Sequence, residues 1–111
     1  MELSPHRDLD DITVGIHIAD GRGIRAFGVN SRMLGVTDLR APAARTTKVR
    51  FELRLNLGPG AYSLGFSVHR GLAHTDDCYI WEEQLLDFEV EAGSDRPFTG
   101  MSYLEPVLKI D

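Results

Sequence analysis

A chain of 111 residues is the size of one domain and long enough to close a core without covalent staples. Its charge, −5 from 17 acidic and 12 basic residues, argues against nucleic acid, whose phosphates call for a basic face. No apolar run nears the roughly 18 residues of a membrane span, and the lone Cys78 excludes an internal disulfide and suits a reducing compartment such as the cytoplasm.

The polar start, Met1 to Asp11, has no apolar core segment, so no signal peptide is expected. Alternation begins at Ile12. There Ile12, Val14, Ile16 and Ile18 are all β-branched, with Thr13, Gly15 and His17 between them, the period-two signature of a half-buried strand. Asp20-Gly21-Arg22-Gly23 reads as a hairpin turn, and Ile24 to Asn30 as the returning strand. A long connection follows, from about Ser31 to Thr47, with Gly35 and Pro42 in it. Val49, Phe51, Leu53, Leu55 and Leu57 then alternate with Arg50, Glu52, Arg54 and Asn56, which predicts a strongly amphipathic strand.

Leu57-Gly58-Pro59-Gly60 is a tight turn, and Tyr62 to Arg70 a strand with Tyr62, Leu64, Phe66 and Val68 on one face. Tyr62 stands where β-sandwiches place a tyrosine corner, whose hydroxyl satisfies a backbone group of the preceding turn. An ordinary buried Tyr is the simpler alternative. Gly71 to Asp77 is a loop, and Tyr79 to Val90 one bent strand or two short ones, with Leu86, Phe88 and Val90 inward. A last, weak strand is expected from Met101 to Ile110, interrupted by Pro106. About seven strands and no helix predict an all-β fold over 1–111: a single antiparallel β-sandwich, immunoglobulin-like or jelly-roll-like.

Three segments carry a resemblance. They are Val14-Gly15-Ile16-His17-Ile18-Ala19-Asp20-Gly21-Arg22-Gly23 with Phe27-Gly28-Val29-Asn30-Ser31; Val49 to Leu57 running into Pro59-Gly60-Ala61-Tyr62-Ser63-Leu64; and Phe88-Glu89-Val90. In this order the chain, over roughly residues 12–92, resembles the Wzt C-terminal domain family. Those domains are appended to the ATPase subunit of ABC transporters that export O-antigen polysaccharide, and related ones to glycan-synthesising enzymes. The resemblance implies a non-catalytic domain on the cytoplasmic side. It would recognise the terminal sugars of a bacterial surface polysaccharide for export or chain-length control, its partner being the parent transporter or enzyme. In the family at least one further strand precedes the strand that holds Val14-Gly15-Ile16. Only eleven residues precede Ile12 here, so an open sheet edge and a homodimer, with exchanged strands as one route to it, are expected.

If Val14, Ile16 and Ile18 face the core, Thr13, Gly15 and His17 face away from it. Likewise Ser63, Gly65, Ser67 and His69 oppose Leu64, Phe66 and Val68. Side by side, the two strands would form a small, polar face whose hydroxyls and imidazoles offer both donors and acceptors for a sugar. Tyr79 and Trp81 add aromatic surface for a pyranose, and Arg70 lies on the adjoining loop with His74, Asp76 and Asp77. The candidate ligand-binding residues are therefore His17, Ser67, His69, Arg70, Tyr79 and Trp81. The plainer alternatives are a solvated sheet face, a core Trp81 and a solvated loop, which together make a structural or dimerisation module without a glycan.

Other chemistry finds little support. His74-Thr75-Asp76-Asp77 lacks a second cluster to complete a metal site, so neither metal nor cofactor is expected. Glu82 and Glu83 are neighbours, which a strand sends to opposite faces, so they cannot flank one glycosidic bond. Cys78 has His74 nearby but no marked third group to orient it, and Gly58-Pro59-Gly60 lacks the Lys and Ser/Thr of a phosphate loop. The chain is not expected to be an enzyme.

Overall fold

The computed structural model describes residues 1–71, 78–92 and 96–110, apart from the side chains of 78–85. Among the described residues seven strands run in chain order: β1 (Glu2–Leu3), β2 (Leu9–Asp20), β3 (Arg25–Asn30), β4 (Leu39–Ala41), β5 (Thr47–Lys48), β6 (Gly60–Arg70) and β7 (Cys78–Val90). The main sheet has the order β3-β2-β6-β7, and β4 pairs with the first part of β2. Every pairing is antiparallel.

The Ile/Val alternation of β2 does what its period requires. Ile12, Val14, Ile16 and Ile18 are buried, and β6 lies beside them in unbroken register from Ile12↔Arg70 to Asp20↔Tyr62. β2 and β3 close as a hairpin around Asp20, whose carbonyl accepts from Gly23 N at 3.0 Å, with Gly23 at φ +82°. Tyr62 is buried, its hydroxyl donating to the Gly58 carbonyl at 2.6 Å. The expected tyrosine corner is therefore present. Its ring stacks on Phe88, the residue opposite it on β7, at 5.7 Å between centroids.

The opposing layer is thin. It consists of the β1-β5 pair, the segment 49–57 and residues near 102. Leu3, Ile12, Val14, Ala41 and Val68 form one core cluster, with Val49 and Phe51 packed on it. Ile18, Leu57 and Tyr62 form a second, with Leu64, Phe88 and Val90 against it.

Two expected strands are corrected. Val49, Phe51 and Leu57 pack inward, but beyond the bonds that Val49 exchanges with Met1 (2.8 and 2.9 Å) and a bridge between Leu57 and Ser102, residues 49–57 form no ladder. Alternation declares which face is buried; it does not supply a neighbour for the backbone N–H and C=O groups. The segment 101–110 pairs only at that same bridge, backed by Gly58 N to Met101 O and Tyr103 N to Asn56 O, both 2.7 Å. Because this layer is incomplete, Leu86, expected to be covered, is 55% exposed, and Phe27, Leu53 and Leu55 are 42–44% exposed.

Candidate functional site

The face of the main sheet turned away from the apolar core carries a different set of residues. Register aligns Thr13 with His69, Gly15 with Ser67, His17 with Gly65 and Ala19 with Ser63. On the far side of β6, Ser67 opposes Trp81, Ser63 opposes Asp87 and Ala61 opposes Glu89. On the far side of β2, His17 opposes Gly28 and Ala19 opposes Arg25. The two strands thus lie side by side, the arrangement that an immunoglobulin-like order would allow. His17, Ser67 and His69 share one face.

That face has two regions. At the end near Thr13 it is closed to solvent: Thr13, His17, Ser67 and His69 are all buried. There Thr13 Oγ1 donates to the Gly71 carbonyl at 2.5 Å and accepts from Arg32 Nε at 3.2 Å, while Arg32 Nη2 reaches Asp11 Oδ1 at 2.7 Å. Asp11, at φ +49°, turns its carbonyl to Gly71 N. These bonds tie the start of β2 to the ends of β3 and β6. The polarity of this region is therefore partly structural, since a buried hydroxyl needs a partner. His69 Nδ1 lies 3.5 Å from the Arg70 carbonyl.

Toward the hairpin the face opens into a trough of about 780 Å³. Small residues make its floor, namely Ala19, Ala61 and Ser63, and His17 lies at its inner end. Arg25 stands on the β3 side, Asp87 and Glu89 on the β7 side. Asp20 also lines it, but its carboxylate is engaged in the turn. It accepts from the backbone N–H groups of Arg22 and Ile24, both at 2.9 Å, and from the Arg22 guanidinium at 3.0 Å. The Ile24 N–H is the chief cause holding this carboxyl below the usual Asp range; desolvation acts the other way, and Arg22 adds to the lowering. The trough offers hydroxyl, carboxylate, guanidinium and imidazole groups over a small-residue floor, a set that can match a polyhydroxylated ligand.

Of the candidates from sequence, His17 lines the trough, while Ser67 and His69 lie further along the same face. Arg70 pairs with Ile12, so its position alternates onto the opposite side of the sheet from His69, and it is exposed. Trp81 sits opposite Ser67, and Tyr79 falls where the register slips between His69↔Cys78 and Val68↔Ile80. The side chains of Tyr79 and Trp81 lie outside the described residues, as does the loop with His74, Asp76 and Asp77. Arg25, Asp87 and Glu89 escaped the sequence reading. The signal was there for two of them: Leu86, Phe88 and Val90 set one face of β7, so Asp87 and Glu89 must take the other. Among the described residues no group of three or more His, Cys, Asp and Glu is placed to hold a metal ion.

The chain's fold and sequence both have known counterparts. A structure described as "Crystal structure of the C-terminal domain of wzt" superposes with a TM-score of 0.87 at 22% identity, covering 100% of this chain and 67% of that one. No curated protein matches the sequence. No helix among the described residues is long and apolar enough to cross a membrane. The model of the Wzt C-terminal domain family matches residues 1–104, beyond both ends of the segments that carried the resemblance. The chain belongs to the Wzt C-terminal domain family, which is associated with O-antigen ABC transporters.

Proposed function

We propose that this domain is a non-catalytic carbohydrate-binding module that recognises the terminal sugars of a bacterial surface polysaccharide, on the cytoplasmic side, for export or chain-length control. The observation that carries the reading is the trough: a concave, polar surface on the five-stranded sheet, floored by Ala19, Ala61 and Ser63. A sugar's hydroxyls need matched donors and acceptors, since a polar group buried unpaired costs about 1–3 kcal/mol. Membership of a family associated with O-antigen transporters supports this choice of ligand class and of partner, a parent transporter or a glycan-synthesising enzyme. NMR titration with the native organism's O-polysaccharide tests it. Wild type should bind, with shifts at Ala19, Ala61 and Ser63. Ser63→Trp, which fills the trough, should abolish binding while the spectrum of the fold persists. Unaltered binding by Ser63→Trp moves the site elsewhere, and a wild type that ignores the glycan ends the reading.

The domain works, in this reading, as a strand-exchanged homodimer. Support comes from residues 104–110, where Leu104, Val107, Leu108 and Ile110 are 79–86% exposed. An antiparallel bridge joins Leu57 to Ser102. Continuing that register would set Leu104 beside Leu55, Leu108 beside Phe51 and Ile110 beside Val49, apolar against apolar along the inner face. Instead Glu105, at φ +54° before Pro106, turns the tail off its own chain. A second copy offers the same vacant ladder to receive it, and exchange of an identical element is a low-cost route to a dimer.

A further inference from the structure

Resting on the glycan-binding reading, we infer that Arg25 grips the sugar in the trough, its guanidinium donating to two adjacent acceptor oxygens, and that Gly28 is the seat that holds it ready. A β-bulge puts Arg25 on the trough face. β2 and β3 pair regularly from Gly15↔Asn30 to Ile18↔Phe27, and the register then slips to Ala19↔Arg25, so Ala26 is the extra residue. Directly opposed residues share a face of the sheet, so Gly28 and Arg25 lie on the face of His17 and Ala19. Unbroken alternation from Gly28 would send Arg25 to the core side instead. Ala26 packs on the core cluster of Ile18, Leu57 and Tyr62, and with Phe27 it lines a hollow on that side, whereas Arg25 lines the trough. A bulge disrupts the ladder and re-aims a side chain; this one turns a guanidinium toward the trough.

Gly28 supplies the space. Arg25 Cδ is 3.4 Å and Nη1 3.6 Å from where a Cβ on Gly28 would be, so the arginine lies back along β3 over a position that has no side chain. Gly28 is not among the residues of positive φ, so its backbone does not require a glycine. It stands directly opposite His17, about 5 Å away at the backbone. His17 marks the inner end of the trough. The guanidinium is thus laid toward that end rather than out from the rim.

A guanidinium carries five N–H donors in a planar fork and no acceptor. Two of its parallel N–H groups match two oxygens side by side. Neighbouring hydroxyls of a neutral pyranose offer such a pair, and so does the carboxylate of a uronic acid. A side chain already laid against the sheet has less freedom to lose on binding, which favours affinity.

The test is calorimetric titration of the whole chain with the native organism's O-polysaccharide, with neutral oligosaccharides of mannose and galactose, and with oligogalacturonate. Arg25→Gln should weaken binding roughly tenfold or more, the scale of a charge-assisted, two-pronged contact. Arg25→Lys keeps the charge without the fork and should not restore it. Gly28→Val fills the seat from outside the trough's lining and should weaken binding severalfold by lifting the arginine away. In the Arg25→Gln background the same change should cost nothing further. The Arg25 Nε–H signal should shift when wild type is saturated, a readout that needs no variant. A loss confined to the neutral or to the acidic series supports the inference and names the source of the two oxygens. Wild-type binding that Arg25→Gln leaves unchanged, or that Arg25→Lys restores in full, overturns the inference and leaves glycan binding standing. Equal losses from Gly28→Val in both backgrounds overturn the seat. A wild type that binds none of the three probes overturns the glycan reading and this inference with it.

Discussion

At the scale of single residues, Tyr62 does the most with the fewest atoms. Its ring is core and stacks on Phe88, while its hydroxyl closes the Gly58 turn at 2.6 Å. Tyr62→Phe keeps the ring and strands a buried carbonyl. The expected loss is about 1–2 kcal/mol, a made bond being worth about 1 kcal/mol and an orphaned group more. Urea unfolding should show a lower midpoint with an unchanged slope; an unmoved midpoint means that the corner contributes nothing. This contact was legible in the sequence because a corner is local: Tyr62 stands four residues past Gly58, within reach of that turn's carbonyl. Arg25 and the Asp11–Arg32–Thr13 network were not legible. Their meaning depends on three strands meeting, with β6 brought from some fifty residues away.

At the scale of elements, alternation located β2, β3, β6 and β7 well. Each of these has a neighbour on which its period can act. The same signal overstated 49–57. Val49 to Leu57 alternates as cleanly as any strand here, yet its backbone pairs only at its two ends, where Val49 meets Met1 and Leu57 meets Ser102. Hydrophobic period records the side chains' environment, whereas a strand is defined by its backbone partners, and no local pattern names them. The join itself is tight. A Cβ placed on Gly58 would overlap the carbonyl oxygen of Gly100. Gly58→Ala must therefore push residues 100–103 away from 56–58. The expected cost is about 1–3 kcal/mol, as for other overpacked sites. The amide signals of Tyr103 and Gly58 should lose their protection from exchange, and retained protection would show that the turn yields instead.

At the scale of the molecule, the chain is not as compact as its length allows. Its radius of gyration is 17.1 Å and its longest extent 59 Å, against roughly 13 Å for the radius of a compact chain of this size. The apolar tail beyond Tyr103 and the uncovered Leu53 and Leu55 are two sides of one deficit. The homodimer reading makes a direct prediction. The full chain should elute as a dimer in chromatography with light scattering, and a chain stopped after Tyr103 as a monomer of lower stability. A truncated chain that remains dimeric would place the interface elsewhere. At the N-terminal side β1 pairs with β5, while the apolar residues beyond Tyr103 are exposed.

β2 is buried along both faces from Ile12 to Ile18 and borders β6 over its whole second half and more. Fifty residues separate Asp20 from Arg70, the ends of the two strands. At a synthesis rate of about 5–20 residues per second, the partner strand is complete only about 2–10 s after β2 leaves the ribosome. For that interval the most apolar edge of the domain stands open, longer than a hairpin needs to form by several orders of magnitude. On a polysome, nascent copies of this chain would be exposed to one another at the stage when strands are free to choose a partner.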